Sequence, residues 1–264
     1  MKNKPSDDRR PSEFVTALER GLNVLTAFGR QPRRMTLSQV AEVTNLSRGT
    51  ARRFLLTLQT LHFVNSDGKL FWLTPKVLQF SGAYLSTFGV TDAGRAVIRD
   101  LTESVGESSS MAVLDGYDVV YIARVETQRI FSSGLEVGSR LPAYCTSLGR
   151  VLLAGLSDSE LDRHLLGKVF EPQSPRSIVD PALLRQKILE VRRQQYALID
   201  GEVEVGVRSI AVPVHDQSGR TIAALNIGTS AARASLDHIR KVLLPALRDA
   251  ANKIEKTMNE WQVP

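Results

Sequence analysis

Phe14, Leu18, Leu22, Leu25 and Phe28 recur at helical spacing and predict a first helix, stopped by Gly29 and Pro32. Thr36-Leu37-Ser38-Gln39 then has the form of a capping box, a hydroxyl at the N-cap and Gln three residues on. It opens a second helix with Leu37, Val40 and Ala41 as its apolar face. The turn Thr44-Asn45-Leu46 leads to Ser47, the cap of a third helix whose apolar stripe is Ala51, Phe54, Leu55, Leu58 and Leu61. Arg48, Gly49, Thr50, Arg52 and Arg53 fall in its first two turns, largely off that stripe. Two short helices joined by a tight turn, the second with a polar, basic N-terminal face, describe a helix-turn-helix. Phe63-Val64 and Leu70 to Leu73 flank a turn containing Asp67-Gly68, which predicts a hairpin: a wing carrying Lys69.

Pro75 is expected to end the wing, and residues 76–88 read as a helix with Val77, Leu78, Phe80, Tyr84, Leu85 and Phe88 apolar. That is too apolar for a solvated linker. It should pack on a neighbour, either as an ordinary interdomain helix or against its counterpart in a dimer. Gly89 breaks it, and Thr91 caps a helix reaching about Val105. Further on, Met111 to Leu114 and Val119 to Val125 predict two strands around Asp115-Gly116, with Ile130 to Leu135 as a third. An apolar helix covers Val151 to Leu156, Ser157 caps another, and Asp180 caps a third running from Pro181 to about Gln195. Arg208 to His215 and Arg220 to Gly228 form a second hairpin; a last helix runs from Leu236 to Met258 with a kink expected at Pro245. Strands in hairpins with helices outside make an α+β domain with an antiparallel sheet. The predicted organisation is a disordered tail (1–13), a winged helix-turn-helix (14–75), a linker helix (76–90) and a C-terminal domain (91–264).

Charge sharpens this division. The 264 residues hold 34 Lys plus Arg and 28 Asp plus Glu, a formal net charge of +6. Residues 1–75 carry 12 basic and 6 acidic residues, so the whole surplus lies in the first quarter. No Asp or Glu occurs between Glu42 and Asp67. A basic head on a neutral body suggests a polyanion-binding module joined to something else, rather than a face that binds nothing. The candidate DNA-contacting residues are Thr36, Ser47, Arg48, Gly49, Thr50, Arg52, Arg53 and Lys69. Arg can read guanine edges with two hydrogen bonds, and Ser or Thr can hold phosphates or bases. The single cysteine, Cys145, excludes an internal disulfide framework and a multi-cysteine zinc site, and fits a reducing cytoplasm. No stretch approaches the ~20 apolar residues of a membrane span, and the charged start is no secretory signal.

Catalytic signatures are missing: no Walker loop, no GxGxxG after a strand, no HExxH and no CxxC. No cofactor or metal is expected. His62, His164, His215 and His238 are scattered. Cys145 reads either as a nucleophile, which would need a nearby base, or as a small buried thiol. Glu202 and Glu204 would merely share a face of one strand. A binding pocket is better supported. Thr146, Ser147, Leu148 and Gly149 lie just before or at a helix start, where exposed N–H groups and the dipole suit a carboxylate. Plain N-capping by Thr146 or Ser147 reads equally well. Ser209 and Asn226 interrupt otherwise apolar strands and must be satisfied by the protein, water or a ligand.

Over residues 14–260 the sequence resembles the IclR family of bacterial transcription regulators. The resemblance rests on ALERGLNVLTAF, TLSQVAEVTNLSRGTARRFLLTLQTLHFV, LPAYCTSLGRVLLAGL and YALIDGEVEVGVRSIAVPV…GRTIAALNI, in that order. It is nearest the subgroup that controls protocatechuate, 4-hydroxybenzoate and β-ketoadipate catabolism. The resemblance implies a winged helix-turn-helix joined by a helix to a GAF-like effector domain. It also implies a dimer or dimer of dimers on a pseudo-palindromic operator, with RNA polymerase as a further partner. By match to effector-contacting stretches, Ser147 and Leu148 would line the pocket, with Ile130, Ser133 and Leu141 as walls. Asp200, Ser209, Asn226 and Gly228 would sit opposite. Some relatives carry cysteine at the position of Ser209 and serines at those of Asn226 and Gly228. The departure here turns the expectation from a small keto acid to an aromatic acid or a dicarboxylate. Two alternatives are a cysteine-dependent enzyme using Cys145 and a DNA-binding protein without an effector.

Overall fold

A computed structural model describes residues 11–29, 34–87, 92–127 and 134–260, and the chain divides into two compact units at Tyr84/Leu85. Pro32, Phe88, Gly89, Thr91, Ile130 and Ser133, and most of the expected tail, lie outside the described residues.

The first unit holds α1 (Thr16–Ala27), β1 (Met35–Thr36), α2 (Leu37–Val43), α3 (Arg48–Thr60), β2 (Val64–Ser66), β3 (Leu70–Leu73), a 3-10 turn, Pro75–Val77, and the start of α4 (Leu78–Thr87), whose last three residues belong to the second unit. Its core is Val24, Ala27, Phe28, Met35, Val40, Ala41, Ala51, Leu55, Leu58 and Val64. The capping box at α2 forms as expected: the Thr36 hydroxyl accepts from the Gln39 amide at 3.3 Å and Gln39 Oε1 accepts from the Thr36 amide at 2.8 Å. Asn45 takes the left-handed conformation, φ 54°, that lets the chain turn sharply between α2 and α3. In the wing turn, Gly68 sits at φ +93° and the Asp67 carboxylate accepts from the amides of Lys69 and Leu70. Those bonds hold the Asp67 carboxyl below the usual carboxylate range.

Four expectations need correcting. Phe14, Leu18 and Leu22 are exposed, because α1 turns Val24 and Ala27 inward instead. Leu61 is exposed at the C-cap of α3. Pro75 does follow the end of the wing, β3 closing at Leu73, and it also starts a helical turn, where its missing N–H costs nothing. The wing is three-stranded, in the order β1-β3-β2, since Met35 and Thr36 pair with Phe71 and Leu70. In α4, Leu78, Phe80 and Tyr84 are exposed, although the Phe80 ring stacks on Phe63 at 5.7 Å.

The second unit contains α5 (Asp92–Val105), β4 (Ser108–Asp115), β5 (Asp118–Val125), β6 (Arg140–Pro142), a 3-10 turn (Ala143–Cys145), α6 (Ser147–Ala154), α7 (Asp158–Leu165), α8 (Pro181–Gln194), β7 (Ala197–Asp200), β8 (Val207–His215) and β9 (Thr221–Ser230). The last helix starts as α9 (Leu236–His238), widens into a π turn over Ile239–Leu243 and continues as α10 (Leu244–Glu260). The expected irregularity at Pro245 thus takes the form of the preceding π turn. The strands form one antiparallel sheet, ordered β6-β5-β4-β9-β8-β7. Residues 134–135, the described end of the expected third strand, are not in a strand.

Each sheet face has its own core. Met111, Ile122, Ile210, Val212, Leu225 and Ile227 pack with α5 and α10. Ala112, Val119, Tyr121, Ala211 and Ala224 pack with Leu148, Leu152 and Leu153 of α6 and with α8. Fully burying one such aliphatic side chain stabilises the fold by roughly 1.5–3 kcal/mol. No helix among the described residues is long and apolar enough to cross a membrane.

Candidate functional site

In the first unit, the sequence pattern turns Ala51, Leu55 and Leu58 of α3 into the core and leaves Arg48, Gly49, Arg52 and Arg53 exposed. Among the described residues none of these three arginines has a carboxylate partner. Thr36, Ser47 and Thr50 serve the helix ends: the Ser47 hydroxyl accepts from the Thr50 amide at 3.2 Å and lies 2.9 Å from the Thr50 hydroxyl. Lys69 is exposed on the wing. One cation escaped sequence reading: Arg34 lies over the Trp72 ring at 4.5 Å, beside the wing turn. The unit therefore presents exposed guanidinium groups at the start of a capped helix, an arrangement suited to phosphates and base edges.

In the second unit, a pocket of about 380 Å³ opens between the sheet and the N-terminus of α6. The Thr146 hydroxyl caps α6 by accepting from the Gly149 amide at 3.0 Å, which leaves the amides of Ser147 and Leu148 at the helix start. The floor is built by strand register. Arg124 pairs with Ser110, Ser110 with Asn226, and Asn226 with Ala211, in one row across four strands. The next row is Ser108, Gly228 and Ser209.

Of the residues expected to meet a ligand, Leu141, Thr146, Ser147, Leu148, Ser209, Asn226 and Gly228 line this pocket. Gly149 does not, because it packs against the backbone of Ala143. Asp200 does not either: its carboxylate accepts from Arg208 at 2.9 Å and meets Arg176 at 3.4 Å, and these cations hold its carboxyl below the usual range. Sequence reading missed Glu107, Tyr121, Arg124, Glu126, Glu204, Thr229 and Arg233, which also line it.

The polar lining has a gap in its bonding. Ser147 Oγ, Asn226 Oδ1 and Thr229 Oγ1 are buried and have no hydrogen-bond partner among the described residues. Buried polar groups are nearly always paired, so three at one cavity call for water or a ligand within it.

Cys145 lies elsewhere. Burial pushes its thiol up to about 11, and Sγ contacts the Pro142 carbonyl at 3.7 Å. A protonated, enclosed thiol does not make a nucleophile. Glu202 lies in the turn between β7 and β8, not on a strand. It is bound to Arg150 at 2.7 Å, apart from Glu204. No cluster of three or more metal-binding side chains occurs among the described residues.

Residues 82–256 match the family model of the bacterial transcriptional regulator IclR C-terminal domain, and residues 17–68 that of the IclR helix-turn-helix domain. The Pca regulon regulatory protein of Pseudomonas putida is 39% identical, over 92% of this chain and 84% of that protein. A structure from Rhodococcus sp. RHA1, described as a transcriptional regulator, is similar with a TM-score of 0.83 and 44% identity, over 94% of this chain and 100% of that one. The inducer-binding domain of the PobR transcription factor from Acinetobacter, a double mutant in complex with 3-hydroxybenzoic acid, is similar with a TM-score of 0.58 and 32% identity. The match covers 61% of this chain and 94% of that one.

Proposed function

The chain belongs to the IclR family of bacterial transcriptional regulators, and on that premise we propose that an aromatic acid in the α6 pocket governs how the α3 arginines hold an operator. The carrying observation is the trio of buried polar atoms that have no hydrogen-bond partner among the described residues, at a pocket that joins charged side chains to the apolar Leu135, Leu141, Leu148, Val203 and Val207. A polar-studded apolar hollow suits a flat ring with oxygen substituents. The identity to the Pca regulon regulator and the hydroxybenzoate bound in the PobR domain support an aromatic ligand and control of aromatic-acid catabolism genes.

The rest of the reading follows the family. The protein acts in the cytoplasm as a dimer or dimer of dimers. Its heads sit on two half-sites about one DNA turn, or a multiple, apart. Ser47, Arg48, Gly49, Thr50, Arg52, Arg53 and Lys69 meet the duplex, with Thr36 at the start of α2. The effector changes operator affinity, or contact with polymerase, only through different affinity for two arrangements of the protein.

The test is a thermal-shift and gel-shift series on the full chain with 4-hydroxybenzoate, protocatechuate, muconate and β-ketoadipate. An acid present at 100 times its Kd adds about 2.7 kcal/mol and raises the melting temperature of the C-terminal unit by about 5–11 °C. It also alters mobility of a fragment from the gene's own promoter. No thermal shift with any acid refutes the pocket reading. No retardation of promoter DNA at low salt refutes the DNA face, since phosphate attraction is greatest there.

A further inference from the structure

Among the described residues two arginines reach the pocket, and each meets a glutamate, but the two pairs differ in kind. Arg233 bonds both oxygens of Glu107, Nε to Oε1 at 3.0 Å and Nη2 to Oε2 at 3.1 Å, and the Glu107 side chain is only 9% exposed. That two-pronged bond ties the segment after β9 to the start of β4. Arg124 turns two nitrogens onto a single oxygen, Glu126 Oε1, at 3.0 and 2.6 Å, while Nη1 donates to Ser110 Oγ at 2.8 Å. Its side chain is 12% exposed and that of Glu126 33%. The cation is thus fixed in the floor, and its carboxylate partner stands at the wetter rim, two residues along the chain. A partly solvated ion pair contributes little and can be exchanged for another carboxylate at small cost.

Arg124, Ser110 and Asn226 stand in one row across β5, β4 and β9, a span of about 10 Å at ordinary strand spacing. At the far end of that row is Asn226 Oδ1, a buried acceptor with no partner among the described residues. An acceptor asks for a donor.

We infer that Arg124 anchors a single effector carboxylate, which takes the place of Glu126 on the guanidinium, and that Asn226 receives a hydroxyl from the opposite end of the ligand. This rests on the pocket reading above and narrows it from aromatic acids and dicarboxylates to hydroxylated aromatic monocarboxylates. Among the described residues a second carboxylate finds no second free cation, only the neutral amides at the α6 start. Arg233 is locked to Glu107, and Glu126 and Glu204, the other charged groups of the lining, are acidic. Arg124 is a specificity-determining residue, and Glu126 is the internal competitor that the ligand displaces.

Calorimetry on the full chain with 4-hydroxybenzoate, 4-hydroxybenzamide and terephthalate tests this. The amide keeps the shape without the charge, and terephthalate replaces the hydroxyl by a second carboxylate. Wild-type protein binds 4-hydroxybenzoate about 10- to 100-fold more tightly than the amide, the worth of a charge-assisted bond, and prefers it to terephthalate. R124Q abolishes the benzoate-over-amide preference, read as the ratio of the two affinities so that any loss common to both ligands cancels. E126Q binds the benzoate several-fold more tightly and raises the benzoate-over-amide ratio, and it keeps the test alive if R124Q does not fold. Preference retained in R124Q, or benzoate affinity unchanged in E126Q, overturns the anchor while leaving the pocket reading standing. Terephthalate binding more tightly than 4-hydroxybenzoate overturns the single-carboxylate assignment. Wild-type protein that binds none of the three overturns the pocket reading and the anchor together.

Discussion

Gly149 sits three residues inside the cap of α6, and substituting it tests whether packing or ligand contact explains a glycine there. A Cβ added at Gly149 would lie 2.5 Å from the carbonyl carbon of Ala143 and closer still to its Cα and O. Ordinary carbon contacts need about 3.5–4.0 Å. The obstacle is backbone on both sides, so no rotamer change relieves it, and α6 must move off the 3-10 turn by more than an ångström. Overpacking of this kind costs about 1–3 kcal/mol and occasionally more. Alanine returns roughly 0.8–1.0 kcal/mol of helix propensity, so the net loss for G149A is about 2 kcal/mol at the upper end of that range. For a unit of this size that lowers the melting temperature by about 4–8 °C. Moving the first turn of α6 also displaces Ser147 and Leu148, so affinity for a bound acid falls with stability. Gly82 is the control: it lies in α4 with nothing within 4 Å of an added Cβ, and G82A should stabilise by up to about 1 kcal/mol. The assay is calorimetric melting of both variants with and without 4-hydroxybenzoate. G149A melting at or above the wild-type temperature with full ligand affinity would refute the steric account.

Two other substitutions probe the head and the buried ion pair. R52A and R53A should each weaken operator binding about 5- to 100-fold in a gel shift, while calorimetric affinity for the acid stays at the wild-type value; unchanged retardation in both rejects this face as the reader. R150M removes the partner of Glu202, a carboxyl that burial already raises above its usual range, and should destabilise by about 3–5 kcal/mol near neutral pH. Loss of the Arg150 attraction raises that carboxyl further, so the folded variant favours its protonated form. Its stability is therefore fullest below the unfolded value of about 4.3 and is lost as pH rises through the folded one. Urea melts of R150M should show that slope and those of R150M/E202Q should lack it; the same slope in both assigns the pH dependence elsewhere.

Most of the head was legible because its signals are local. A capping box, a second N-cap at Ser47, a three-residue turn and an Asp-Gly hairpin each act within about four residues of chain. Short strands are another matter. Met35-Thr36 becomes β1 only because Phe71 and Leu70 arrive beside it, and Arg140–Pro142 becomes β6 by pairing with Asp118 to Val120. Ala197–Asp200, likewise unforeseen, is held by β8. Nothing in two to four residues announces a partner found far along the chain. The exposure of Phe14, Leu18 and Leu22 has a related cause. Helical spacing shows that a stripe exists but not which stripe the rest of the unit covers, and here the core took Val24 and Ala27.

The pocket shows the same boundary more sharply, at Arg124. Strict alternation along β5 puts Val119, Tyr121, Ala123 and Val125 on one face and Val120, Ile122 and Arg124 on the other. On that pattern Arg124 belongs with Ile122, toward α5 and α10, with no reason to meet a ligand. The register breaks it: Met111 faces Ala123 but the next residue, Ala112, faces Tyr121, so Ile122 is the extra residue of a bulge. Beyond the bulge the phase inverts. Ala123 and Val125 join Val120 and Ile122 in the α5–α10 core, and Arg124 passes to the face that carries Tyr121, Ser110 and Asn226. A bulge is set by how two strands fit, which a single strand's pattern does not encode. Ser209 and Asn226 were readable because a polar residue amid apolar ones is conspicuous on its own strand, and Ser147 because it lies at a helix start. The cation that would discriminate among acids was hidden by one inserted residue, and the same insertion delivers a charged side chain to the polar row of Ser110 and Asn226 without breaking the core on the opposite face.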